Sequence, residues 1–489
     1  MKKYLFYTGK SIIAAVLPCI LSGCSVGPDY QPPKIEIPDI SAESTRCDAE
    51  VKKFLSEKWW NIFGDSTLNA LEEAALTKNS DIQIAIASIE AACAAAGVAS
   101  ADYFPSAALS GAGTSARTAK KGAEAENRVR NTSYNVAANI SYEIDFWGKY
   151  RRGSEAAKAD LMATHAAKEA VILTITSEVA KIYFTLRSLD AKLAIARRTL
   201  RTRESSLKMY KSRFESGYCT ELDYLRILSE KESVKSAVLN LEASYAKTEH
   251  ALSALIGASP KEMIVRKTDR TSSLEKLRVP SDIPSGLPSN LIERRPDVAE
   301  AEGHLIAANA KIGIAIAGHF PSFSLTGMYG FETQALKTLF NTGSDTNWYG
   351  LNIGFPLFNG GKTLSITDMA KAQHKQAFAK YGKIVSNAFH ETLDALVVNR
   401  KSREIVRSRT SQMKALMRSY EIAKIQKESG LIGLIDLLDV ERGLLASEME
   451  LVAALEWQLG AVVDLCKALG GGWTYSIGKI TTARRSAKT

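Results

Sequence analysis

The sequence predicts a mostly α-helical chain with a small β part that lies in a membrane. Three observations carry that expectation. The chain is an internal duplication. It holds segments of alternating polarity about ten residues long, and two stretches of helical periodicity that would each run about 95 Å at ~1.5 Å per residue. Phe104-Pro105-Ser106 recurs as Phe320-Pro321-Ser322, and Asp81-Ile82 as Asp297-Val298, both at an offset of 216. Asn139-Ile140 returns as Asn352-Ile353, Gly148-Lys149 as Gly361-Lys362, Gly217 as Gly430, Asp223 as Asp436 and Gly257 as Gly470, all at 213. The offset changes once, between residues 106 and 139, so one localised gap separates two copies of one unit.

The elements follow in chain order. Residues 1–23 begin with Lys2, Lys3 and Lys10, continue through an apolar run from Ile12 to Leu21 and end on small residues, the pattern of a cleaved signal peptide. Leu21-Ser22-Gly23-Cys24 resembles a bacterial lipobox, which makes Cys24 the expected lipidated first residue of a segment 24–65. Ser25, rather than Asp, follows it, which fits sorting to an outer membrane. The first copy spans 66–257, a linker 258–290, the second copy 291–470 and a tail 471–489. Each copy reads as helix (66–102 and 296–318), two strands within about 104–147 and 320–358, a long helix, a turn and a return helix. In 134–146, Tyr134, Val136, Ala138, Ile140, Tyr142, Ile144 and Phe146 share one face, with Asn135, Asn139, Glu143 and Asp145 on the other. In the second copy Tyr349, Leu351, Ile353, Phe355 and Leu357 share a face. Strand 321–331 carries Phe323, Leu325, Tyr329 and Phe331, and its counterpart 106–116 is weaker. The long helices, 154–216 and 365–429, carry a coiled-coil seam, clearest from Ile172 to Leu200. They break at Gly217 and Gly430.

Composition narrows the function. The 489 residues are 45% hydrophobic, and a net charge of +10 from 63 basic and 53 acidic residues is spread along the chain rather than gathered in one patch, which argues against nucleic acid as a partner. No uninterrupted apolar run of 18 residues follows residue 23, so a polytopic helical membrane protein is excluded. Cys47, Cys93, Cys219 and Cys466 are far apart. An exported compartment permits disulfides, but no spacing demands one. Gly23-Cys24-Ser25-Val26-Gly27 matches a nucleophile-elbow string yet straddles the cleavage site. Gly360-Gly361-Lys362-Thr363 imitates the end of a P-loop, but Pro356 stands where its first glycine belongs. His390-Glu391 lacks a second histidine, since position 394 is Asp. No metal, cofactor or catalytic site is expected. Four strands cannot close a barrel, and open edges are not tolerated in lipid, so two, three or four chains would have to share one.

These residues resemble the outer membrane efflux protein family, the TolC-like outer membrane factors. The resemblance is nearest to the NodT-like lipoprotein branch that works with resistance-nodulation-division (RND) pumps. It covers nearly the whole chain and rests on CSVGPDYQPP after the lipobox, WWNIFGDSTLNAL at 59–71, SYEIDFWGKYRR at 141–152, the block LIERRPDVAEAEGHLIAANAKIGIAIAGHFPSFSLTG at 291–327, GFPLFNGGK at 354–362 and LIDLLDVERGLLASE at 434–448. The resemblance implies a homotrimer with a 12-stranded outer-membrane barrel on an α-helical tunnel. It implies helix tips at Gly217, Tyr218, Gly430 and Leu431 that dock a periplasmic adaptor, and an inner-membrane RND-type pump that supplies the energy. It implies no cofactor beyond the covalent lipid. It places an acidic gate ring at Asp439 and an apolar plug at Ile435. Asp439 is also spaced for an ion pair with Arg442 on a solvated helix, and Arg226 holds the equivalent position in the first copy. The alternatives are the outer component of a type I protein-secretion system and a periplasmic coiled-coil lipoprotein without a pore.

Overall fold

The computed structural model describes residues 25–33, 58–117, 130–258 and 295–473. The leader 1–23, Cys24, Cys47, all but the first residue of the linker 258–290 and the tail beyond 473 lie outside them. A short 3-10 turn at Trp59–Phe63 leads into α1 (Ser66–Lys78), α2 (Ser80–Ala101), β1 (Ser106–Arg117), β2 (Arg130–Ile144), α3 (Lys149–Glu215) and α4 (Glu221–Leu255). The second copy follows with α5 (Pro296–Ala317), β3 (Ser322–Thr333), β4 (Asp345–Gly354), α6 (Lys362–Glu428) and α7 (Leu434–Ala468). The long helices have 67 residues each and the return helices 35 each. Every one of their boundaries repeats at an offset of 213.

The chain forms two compact units that cut across the duplication. Of the described residues, one holds 25–33, 88–117, 130–164 and 301–381, and the other 58–87, 165–258, 295–300 and 382–473. The first unit contains the sheet. Among the described residues its strands run in the order β1-β2-β3-β4, all antiparallel, with β1 and β4 at the edges. Asp145 closes the sheet and starts α3: its carboxylate accepts the backbone N–H groups of Tyr150 (3.2 Å) and Arg151 (2.9 Å), satisfying donors that a helix N-terminus leaves free. Residues 25–30 lie along α3 and α5. The Val26 N–H donates to the Trp147 carbonyl at 3.0 Å, Arg152 pairs with Asp29 at 2.9 Å, Asn309 donates to the Pro28 carbonyl, and the Tyr30 hydroxyl donates to Glu302.

The second unit holds the main apolar core. Trp59, Phe63, Leu68, Tyr183, Phe184 and Leu459 are fully buried in it, with Phe63 edge-on to Phe184 at 4.8 Å. Glu72 on α1 is buried, with neither carboxylate oxygen hydrogen-bonded among the described residues, and burial pushes its pKa up to about 9. Arg295 ties three segments together. It pairs with Asp297 and Glu391 at 2.7 Å each, and donates to the carbonyls of Ala388 (3.5 Å) and Ala468 (3.4 Å).

Four expectations shift. The helix expected over 66–102 is two helices, because Asn79 leaves the helical conformation. Its side chain accepts from the N–H groups of Asp81 and Ile82 and donates to the Leu255 carbonyl, which fixes the bend. The second copy has no counterpart of α1 among the described residues. The strand expected to include Phe355 and Leu357 stops at Gly354, since Pro356 has no N–H to give the ladder. Phe146, placed with β2, lies just beyond it, its N–H turned back to the Ile144 carbonyl. The long helices start at Lys149 and Lys362, earlier than expected, directly after glycines. Although Asp81 and Glu90 interrupt it, α2 is one helix long and apolar enough to cross a membrane by length and composition, with mean hydropathy 1.7.

Candidate functional site

Two surfaces carry chemistry, one in each unit. The first is the sheet, whose two faces differ. Cross-strand register aligns Ile140 with Ala107 and Gly327, Tyr142 with Leu325, Phe323 with Ile144 and Ile353, and Leu351 with Leu325. This face is apolar, yet Leu109, Ile140, Leu325, Tyr349, Leu351 and Ile353 are all exposed. An exposed apolar face this extensive needs a cover of its own chemistry. At the ends of the strands that lead to or from helices stand Phe104, Phe320, Phe355 and Phe358, also exposed, and Trp147 stacks on Phe320 at 4.5 Å. That is the distribution of an interfacial aromatic girdle.

The opposite face is polar and internally bonded. Asn139 donates to Ser110 at 2.8 Å, Ser133 to Glu332 at 3.1 Å, and the Ala112 N–H to Asn135 at 3.1 Å. Glu143 pairs with Lys149 at 3.2 Å. Among the described residues, β1 and β4 pair with no further strand on their outer sides.

The second surface is the pair of helix tips. Gly217 takes φ +76° and Gly430 φ +74°, left-handed values that other residues rarely adopt. Each closes its helix with the same two bonds: the Tyr218 N–H to the Arg213 carbonyl (2.7 Å) and Gly217 to Phe214 (3.0 Å), then Leu431 to Gln426 (2.8 Å) and Gly430 to Lys427 (3.1 Å). The return helices start with caps of opposite sense, each one half of a capping box. Thr220 accepts from the Asp223 N–H, and the Asp436 carboxylate accepts from the Gly433 N–H at 2.9 Å. Tyr210, Ile227, Leu434 and Leu438 bury one another behind the tips, and Phe214 stacks on Tyr224 at 5.7 Å. Burial raises the Tyr210 phenol above its usual range.

The expected site residues fall as follows. Tyr218 is 84% exposed and Leu431 75%, at equivalent positions of the two tips. Ile435 lies exposed on the first turn of α7, and Asp439 lies one turn later. Asp439 makes the ion pair that its spacing allows, with Arg442 at 2.8 Å, and Arg442 reaches on to Glu230 of α4 at 3.3 Å. Arg226, at the position equivalent to Asp439, is half-buried. Periodicity alone does not single out Leu222, which matches Ile435 at the offset of 213 and is equally exposed. The repeat itself was the signal that could have found it. Among the described residues no group of His, Cys, Asp and Glu is arranged to hold a metal ion.

The sequence profile described as outer membrane efflux protein matches residues 71–258 and 287–471. The chain is 30% identical over 455 residues to the cation efflux system protein CusC of Escherichia coli O6:H1, covering 93% of this chain and 96% of that one. It is 29% identical over 476 residues to the toluene efflux pump outer membrane protein TtgC of Pseudomonas putida, covering 96% and 97%. The Campylobacter jejuni CmeC outer membrane channel superposes with a TM-score of 0.87 at 25% identity, over 95% of this chain and 98% of that chain.

Proposed function

The chain belongs to the outer membrane efflux protein family, and on that premise we propose that it forms the outer-membrane duct of a tripartite efflux system. Three copies join β4 of one sheet to β1 of the next. This closes a 12-stranded barrel around the polar face and turns the apolar face to lipid. The observation that carries the reading is the two-faced sheet with two free edges: an apolar face needs lipid, and lipid does not tolerate open edges. The helical hairpins continue the duct, and their tips at Gly217, Tyr218, Gly430 and Leu431 meet a periplasmic adaptor. An inner-membrane pump drives transport, while this chain catalyses no reaction and needs no cofactor. Asp439 and Ile435 line the constriction at the tips. The relatives' names range from cations to toluene, so cargo choice belongs mainly to the pump.

Cys24 carries the lipid. What supports this is the path of the residues that follow it. Ser25 packs against Gly148, at the junction of β2 and α3, where the aromatic girdle marks the edge of the bilayer. Purified protein reconstituted into a planar lipid bilayer tests the duct. Discrete conductance steps are expected, and their absence from a correctly assembled preparation contradicts it.

A further inference from the structure

We propose that Trp348 and Met328 form an apolar contact band on the otherwise polar wall of the duct, which engages solutes carrying an aromatic group and a positive charge. The inference rests on the duct reading above, because it needs the polar face of the sheet to be the inner one.

The register sets which face they occupy. Met328 stands opposite Trp348 on one side and opposite Asn139 on the other. Asn139 belongs to the polar face through its bond to Ser110. Trp348 is therefore on the polar face, while its neighbours Asn347 and Tyr349 point the other way. Its ring lies along the strand toward Gly350, within 3.9 Å of where a Cβ would sit on that residue. Half of Trp348 remains exposed.

A tryptophan on the lipid side near a strand end is ordinary for a membrane barrel, but on the inner wall it has no lipid to meet. The surroundings leave it reachable. Gly330, Thr326 and Gly350 flank the pair on the same face, and β1 contributes only small side chains to that face, among them Ala108, Ser110 and Ala112. The two charged residues on that face of the strands are Glu143 and Glu332, both acidic, and Glu143 is taken by Lys149. A flat indole and a polarisable thioether suit an aromatic cation: the ring stacks and the charge meets the indole face, while Glu332, four residues along β3 and so about 13 Å from Met328, adds a negative charge toward the mouth of the strands. In the proposed trimer three such pairs stand at one height and encircle the passage.

Block of single-channel current by tetraphenylphosphonium, added from the side of the 334–344 loop, tests this. Tetraethylammonium, of equal charge and without rings, is the comparison. Wild-type channels are expected to be blocked by tetraphenylphosphonium at lower concentration than by tetraethylammonium. Trp348→Ala and Met328→Ser should each weaken the tetraphenylphosphonium block, the first by about tenfold, while Trp348→Phe largely retains it. Equal block of wild type and Trp348→Ala overturns the proposal and leaves the duct standing. A wild-type protein without conductance overturns both. Should Trp348→Ala fail to assemble, fluorescence decides. The part of the emission lost in Trp348→Phe should be quenched by aqueous iodide and not by brominated lipid, and the reverse pattern overturns the proposal.

Discussion

Single side chains in this molecule do work that their neighbours do not share. Glu72 is the clearest case for stability. In the folded chain its carboxyl stays neutral up to about pH 9, whereas an unfolded glutamate ionises near 4.5. Folding therefore suffers no penalty from this group below about pH 4.5. The penalty grows as pH rises through the window from 4.5 to 9, so stability is lost in that direction. Glu72→Gln should remove most of that slope, worth about 3–5 kcal/mol between pH 4 and pH 8. Thermal melts of the detergent-solubilised protein at the two pH values check this, and an unchanged slope would mean that Glu72 is not the group responsible. Asp439 makes the corresponding case for function. Asp439→Ala removes one anion from the second tip of each chain and frees Arg442 to pair with Glu230 alone. The closed channel should conduct more. Unchanged conductance would remove Asp439 from the constriction and leave it a surface ion-pair residue, worth ~1 kcal/mol or less.

Among the elements, the helix hairpins owe their turns to two glycines. Open space surrounds the position of a Cβ on both Gly217 and Gly430, so replacing them meets no steric clash, only the cost of a left-handed backbone. Gly217→Ala and Gly430→Ala should each destabilise the tip by about 1–2 kcal/mol. The readout is faster amide hydrogen exchange around the substituted turn, with the sheet unaffected. Equal exchange would show that these turns do not depend on glycine. The hairpins were also the elements most readable from the sequence. Period-3.5 spacing from Ile172 onward, the glycine breaks and the offset of 213 fix their type and nearly their ends. The strands were readable where polarity alternates, in β2, β3 and β4. They were less so in β1, where glycines on the apolar face leave room for Tyr134 in place of a side-chain pattern. The break at Asn79 was not readable, because asparagine within an apolar helical stretch looks like a tolerated polar residue. Only the distant Leu255 carbonyl shows that it turns the chain. Trp348 escaped for a related reason: face assignment in a short strand needs a partner strand, and only the register supplies it.

For the molecule as a whole, the decisive fact is that one chain is incomplete. Among the described residues, its sheet ends in two unpaired edge strands and its apolar face is exposed. α2 repeats the theme, since it is apolar along its length while only 6% of its most apolar window is buried. Assembly answers these demands together: strand edges pair, one sheet face meets lipid, and long helices pack side by side. The family resemblance supplies the number three, which strand counting alone left open between two, three and four. The mass of the detergent-extracted complex, measured by native mass spectrometry with delipidation controls, addresses this most directly. About three chain masses, each shortened by the leader and carrying acyl groups, is the expected result. A monodisperse monomer would leave four strands with open edges, and both the shared barrel and the duct would have to be given up.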